Sequence, residues 1–256
     1  MKMTLAEFTF EIEGILESEV KKLLPGYWDE DQLTINFLIA LTRKLSNKII
    51  VDLRGVSKVY INAFKQSGTL TETKYGDIAI ILNITFPDGE KLEGVGYLEA
   101  KKRAEGAVTF DAVRKVQLET INANAPRARL LLYDYEPITG FVPTYFEEEL
   151  YYRHHYRTLR LMPTTHSVAL PLNLALQVKH FDTQLYKFGL PFSHQLTFRY
   201  MYGQDLEFEK VALDASKGYA DRQNLSKYIL TITVGPEDKI YEPENIANTN
   251  NYERLK

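Results

Sequence analysis

Apolar residues recur at helical spacing through residues 5–24 and stop before Pro25-Gly26, which predicts a first helix. A second is predicted from about Asp29 to Leu45. Asp29 is placed to cap it, and Leu33, Phe37, Leu41 and Leu45 repeat every four residues along one face. KIIVDL (48–53) reads as a short strand. The period then becomes two in GDIAIILNITF (76–86) and KLEGVGYLEAK (91–101), two strands joined by Pro87-Asp88-Gly89-Glu90.

A Pro-Asp-Gly turn favours a type I turn with Gly89 in the left-handed region, which closes a three-residue hairpin. Phe86 then pairs with Glu90, and Asp77 falls directly opposite Glu99. In that register one face carries Ile78, Ile80, Leu82, Ile84 and Phe86 against Leu92, Gly94, Gly96, Leu98 and Ala100. The opposite face carries Asp77, Ala79, Ile81, Asn83 and Thr85 against Glu93, Val95, Tyr97, Glu99 and Lys101. A slip of one residue would mix the two sets, so the pattern fixes the pairing.

A helix is expected near 109–123 with Phe110, Val113, Val116 and Ile121 inward, and RARLLLYDY (127–135) reads as a buried strand. Residues 28–135 thus run helix, strand, strand, strand, helix, strand, a mixed α/β order. Later signals are weaker. TGFVPTYF (139–146) is a candidate strand, SVALPLNLALQV (167–178) is apolar but broken by Pro171, 191–208 reads as a helix ending at Gly203, and YILTITV (228–234) as a strand. The expected division is a core over 1–135 and a C-terminal extension over 136–256, packed on the same domain or apart from it.

Composition narrows the chemistry. Of 256 residues 45% are hydrophobic, enough for a substantial core, and the 25% that are charged argue against disorder. The absence of Cys removes thiolate nucleophiles and cysteine zinc sites and suits a reducing compartment, so the expected location is cytoplasmic. The longest run without formal charge, Leu161 to Val178, contains Pro163, Pro171 and Asn173 and does not read as a membrane span. No HExxH, Walker A or GxSxG element is present. The net charge of −3 lacks the basic footprint of a passive nucleic-acid binder, although local positive charge suffices for an enzyme whose carboxylates hold a metal.

Lys101 lies two residues beyond Glu99 and so shares its face with Glu99 and Asp77. Two like charges directly opposite are destabilising and ask for a counter-charge. Solvated ion pairs on a sheet face would supply one, and so would a bound cation. Gly76-Asp77 followed by Glu99-Ala100-Lys101 resembles the Asp…(Asp/Glu)-x-Lys motif of the PD-(D/E)XK, or restriction-endonuclease-like, nuclease superfamily. The resemblance covers about residues 28–135 and implies an αβββαβ core, a mixed central sheet flanked by helices, with a C-terminal elaboration.

The resemblance implies a Mg²⁺-dependent endonuclease acting on DNA, with Mn²⁺ as a substitute, in prokaryotic restriction or antiphage defence. Asp77 and Glu99 would hold the metal, the Ala100 carbonyl would be a third ligand, and Lys101 would orient water or stabilise charge. Glu30, with Asp31 beside it, matches the acid that the superfamily often adds from the preceding helix, although an acid at a helix N-terminus also has an electrostatic reason to be there. Glu72 is another candidate acid. Gln117 resembles a helix glutamine that faces the site in some branches, and it also reads as the polar margin of an amphipathic helix. Candidate phosphate contacts are Lys102, Arg103, Arg114 and Lys115, together with Arg153 and Arg157 in the Tyr-rich run YYRHHYRTLR (151–160). A homodimer or a defence partner such as a helicase would fit double-strand cleavage.

Two other readings share these residues. One is a module that keeps the nuclease fold for binding nucleic acid or protein without cleavage. The other is a hydrolase using Asp77 and Glu99 as an acid–base pair, about 5 Å apart as in a retaining glycosidase. Lys101, and a single Trp at position 28, disfavour the last.

Overall fold

Strands that bury both faces need a partner layer on each side, and this chain supplies helices to both. The computed structural model describes residues 2–24, 26–52, 54–68, 74–110, 113–140, 164–221, 224–240 and 246–256. Among them ten strands form one mixed sheet. They are β1 (Lys2–Thr4), β2 (Lys48–Asp52), β3 (Gly55–Gln66), β4 (Ile78–Thr85), β5 (Lys91–Lys102), β6 (Arg129–Ile138), β7 (Thr165–Pro171), β8 (Leu190–Pro191), β9 (Tyr228–Pro236) and β10 (Tyr252–Arg254). Their order is β1-β2-β3-β9-β4-β5-β6-β7-β8, with β10 on β3. The pairs β1–β2, β4–β9 and β5–β6 are parallel and the others antiparallel.

The hairpin has the predicted register. Ile78 pairs with Leu98 and Thr85 with Lys91, Phe86 N–H donates to the Glu90 carbonyl at 2.8 Å, and Gly89 takes φ of 98°. Alternate residues feed two cores. Ile78, Ile80, Leu82, Ile84, Leu98 and Ala100 join one, with α1 (Leu5–Leu23) and α2 (Glu30–Leu45) over them. Ala79, Ile81, Val95 and Tyr97 join the other, with α3 (Lys115–Asn124), α4 (Leu172–Ala175) and Lys210–Ser216 beneath.

Two of the expected elements change. The third helix starts at Lys115, because Thr109 and Phe110 make isolated bridges to Asp182 and Arg103. Its inner side is Leu118 and Ile121, whereas Val116 is 74% exposed and Val113 only half-buried. The apolar run broken by Pro171 is a strand up to that residue and the helical turn α4 after it. The helix expected over 191–208 is an α turn at Phe192–His194 that continues as a π-helix at Gln195–Arg199 and a 3₁₀ turn at Tyr200–Tyr202. It ends at Gly203 in the left-handed region, as the sequence suggested.

Strand β3 was not anticipated. Nor was the placement of YILTITV, which as β9 runs between β3 and β4 in the middle of the sheet. The chain after residue 136 therefore contributes β7 to β10 to the sheet that carries β1 to β6. The candidate strand at 139–146 lies outside the described residues, apart from 139–140. Among the described residues no helix is long and apolar enough to cross a membrane.

Candidate functional site

Asp77 enters the site because the chain turns sharply just before it. Gly76 has φ of 96°, and a Cβ there would stand 2.7 Å from the Leu98 carbonyl oxygen, so the backbone passes where only glycine fits. The Asp77 carboxylate is thereby laid against β5, where its Oδ2 accepts the Ala100 N–H at 3.1 Å. Glu99, opposite in the hairpin, is fully buried, and Lys101 nearly so. The Lys101 ammonium lies 2.6 Å from Glu99 Oε1 and 3.8 Å from Asp77 Oδ2. The three residues proposed from the sequence thus meet at one end of the hairpin.

The start of α2 is docked onto the same end. Asp29 caps the helix by accepting the Gln32 N–H at 2.8 Å, and Trp28 donates its indole N–H to the Arg103 carbonyl at 2.7 Å. These contacts hold Glu30 over β5, where its Oε2 accepts the Lys102 N–H at 3.2 Å. Glu30 also lies within electrostatic reach of Lys101, Asp77 and Lys227.

Lys227 was not foreseen. The parallel pairing of β9 with β4 sets Tyr228 beside Ile78, and Tyr228 N–H donates to the Asp77 carbonyl at 2.9 Å. Lys227, just before the strand, lies 3.1 Å from Asp77 Oδ1 and 3.8 Å from Asp31 Oδ1. Asp31 also accepts the Tyr228 hydroxyl at 3.2 Å. No local signal marks this lysine, because its neighbours come from a strand pairing that spans most of the chain.

Four carboxylates and two ammonium groups meet here, leaving two formal negative charges in excess. Burial, then the Asp77 charge, raises the Glu99 carboxyl to about 8, against the pull of Lys101. Burial, with Asp77 and Asp31, raises Glu30 to about 7. Burial works against the Lys101 ammonium, but Glu99, Asp77 and Glu30 outweigh it and hold its pKa above the ordinary value. Glu99 Oε2 is buried with no hydrogen-bond partner. Such an atom is costly unless something completes it.

The other candidates are placed as follows. Gln117 is half-buried on α3, and among the described residues it makes no hydrogen bond to the cluster. Ala100 turns its side chain into the core above the sheet while its N–H holds Asp77. Arg103 is not available to phosphate. Its guanidinium is 2.9 Å from Asp134 and 2.6 Å from Glu136, and it stacks over Tyr135, so it serves as an internal cation. Lys102 is half-buried, and Arg114 and Lys115 are exposed at the start of α3. Glu72, Arg153 and Arg157 lie outside the described residues.

No protein family, curated protein or solved structure matches the chain. Among the described residues no three His, Asp or Glu side chains are already grouped to hold a metal ion. The donor set nevertheless fits a hard divalent cation, since it consists of carboxylate oxygens that carry two formal negative charges in excess once Glu99 and Glu30 have lost their protons, with one buried oxygen that then has no donor.

Proposed function

We propose that the protein is a metal-dependent DNA endonuclease of the PD-(D/E)XK type, with Asp77, Glu99 and Lys101 as its centre and Glu30 as an added acid. One observation carries the reading: Asp77, Glu99 and Lys101 converge at one end of the β4–β5 hairpin, and a buried Glu99 oxygen there has no partner. Asp77 and Glu99 would hold Mg²⁺ or Mn²⁺, and the Ala100 carbonyl is the candidate third ligand. A divalent ion bound there would lower the pKa of its water and polarise a phosphoryl oxygen. Lys101 then places a positive charge where negative charge develops on the phosphate. Lys102, Arg114 and Lys115 would be the candidate phosphate contacts. A restriction-endonuclease-like core, in which β3 makes four strands rather than the expected three between α2 and α3, the cytoplasmic location, restriction or antiphage defence, and a homodimer or helicase partner belong to the same reading.

A second reading keeps the fold for binding without cleavage. It draws on the closed state of the cluster, where the Lys101 ammonium already pairs with Glu99 at 2.6 Å and lies 3.8 Å from Asp77, and little of the trio meets solvent. Supercoiled plasmid with Mg²⁺ or Mn²⁺, with and without EDTA, separates the two. Cleavage is expected from the natural chain and should be lost in Asp77→Asn and Lys101→Ala. Cleavage that survives both substitutions removes the site assignment, and metal-independent binding without cleavage favours the second reading.

A further inference from the structure

The two oxygens of Asp77 are held in different ways. Oδ2 accepts a backbone N–H from within β5 and cannot be released without disturbing the strand. Oδ1 is held by a side chain, Lys227, at 3.1 Å. Any cation that takes Asp77 as a ligand through Oδ1 must therefore displace that ammonium. The Lys227 side chain is 23% exposed against 11% for Lys101, so it has a way out toward solvent. It also has somewhere to go, because Asp31 stands 3.8 Å away and is itself steadied by the Tyr228 hydroxyl. Glu99 Oε2, fully buried in the same cluster, has no donor when the carboxyl is ionised, so a cation there would complete it.

We infer that Lys227 is an exchangeable counter-ion of the site: it neutralises Asp77 Oδ1 in the metal-free protein, yields that oxygen to a divalent cation, and swings toward Asp31 and the approaching phosphate. The exchange is ionic and no covalent bond changes. It rests on the nuclease reading for the metal and the phosphate, and it assigns Lys227 a positioning role that acts through Asp77.

The consequence runs against the usual effect of deleting a residue from a site. Without Lys227 the metal meets neither a competitor for Oδ1 nor a like charge a few ångströms away, so affinity should rise. Taking about 5 Å and a water-like dielectric, loss of that repulsion gives roughly tenfold tighter binding. Mn²⁺ binding to the intact chain, followed by electron paramagnetic resonance of the free ion, tests this without any need for turnover. Lys227→Met should bind about tenfold more tightly, Lys227→Gln should follow it if the Met variant folds poorly, and Lys227→Arg, which keeps the charge, should stay near the natural affinity. Equal or weaker binding by Lys227→Met and Lys227→Gln, with Mn²⁺ still bound by the natural chain, overturns the role of Lys227 alone. No Mn²⁺ bound by any of the four proteins overturns the metal site and the nuclease reading with it.

Discussion

Glu99→Gln is expected to stabilise the metal-free protein, and to do so only as pH rises. The carboxyl is fully buried, one of its oxygens has no hydrogen bond, and Asp77 lies across from it. Its pKa is raised from 4.5 to about 8, first by burial and then by Asp77. A carboxyl whose folded pKa lies above its unfolded one is penalised when ionised. The penalty is absent below about pH 4.5, grows through the window to about 8, and is complete above it. That interval sets a ceiling of about 5 kcal/mol, at roughly 1.4 kcal/mol for each pH unit. Lys101, 2.6 Å from Oε1, compensates part of the ionised state, and a glutamine keeps only a weaker dipolar contact with it. The expected gain is therefore about 2 kcal/mol at pH 9 and close to zero at pH 4. Urea denaturation in EDTA at pH 4, 7 and 9 measures it, with an unchanged slope showing that the effect is on stability. The melting temperature at pH 9 should rise by about 4–8 °C. A difference that does not vary with pH, or a variant less stable than the natural chain at pH 9, would refute the reasoning. On the nuclease reading the same variant should not cleave, so that the residue that costs stability is the one the chemistry needs.

Three further outcomes follow from other contacts. Metal binding should expel protons held by Glu99 and Glu30, whose carboxyls lie at about 8 and about 7. About one proton per Mn²⁺ is expected at pH 7 and almost none above pH 9, and heats that do not depend on the buffer's ionisation enthalpy would contradict this. Gly96→Ala should cost about 1–3 kcal/mol in urea denaturation, because the new Cβ would stand 2.6 Å from the buried Tyr200 ring; an unchanged midpoint would mean that the ring moves aside. Arg103→Met should destabilise by about 2 kcal/mol, since it takes the guanidinium from the buried Asp134 carboxylate and leaves it only the Tyr186 hydroxyl and the Glu136 N–H, and it should leave affinity for plasmid unaltered. A large loss of affinity with no loss of stability would return Arg103 to the candidate phosphate contacts.

The hairpin was legible because two independent signals agree on it. Pro87-Asp88-Gly89 sets the turn, and a period of two over both arms sets the faces, so the local sequence alone brings Asp77, Glu99 and Lys101 together. Glu30 came from the family resemblance, which implies an acid on the helix before the motif; its place at a helix start has an electrostatic reason of its own. The readings that changed depended on partners distant in sequence. Arg103 looked like a phosphate ligand beside the motif, but Asp134, Tyr135 and Glu136 on the neighbouring strand β6 claim it. Val116 shares a helical period with Val113, yet Leu118 and Ile121 set the buried face once the helix begins at Lys115. β3 carries buried Val59, Ile61 and Ala63 at alternate positions, a period of two like that of the hairpin but with no Pro-Asp-Gly turn beside it. Lys227 was different in kind. YILTITV announced a strand but not its neighbour, because a parallel pairing leaves no turn between the partners to read.

That pairing also bears on how the chain divides. β4 lies between β5 and β9, and β3 reaches β4 only through β9. Without residues 228–236 the inner edge of β4 would present a row of unpaired backbone groups, and Ile229, Leu230 and Ile232 would be missing from both cores. Asp77 would lose Lys227, and its carbonyl would lose the Tyr228 N–H that fixes the strand's entry. The hairpin supplies two acids and a lysine, but what holds Asp77 is shared between residues near 77–101 and a strand some 150 positions later. A boundary near 135 describes the motif and not the folding unit, since the sheet that aligns the carboxylates needs the second half of the chain at its centre.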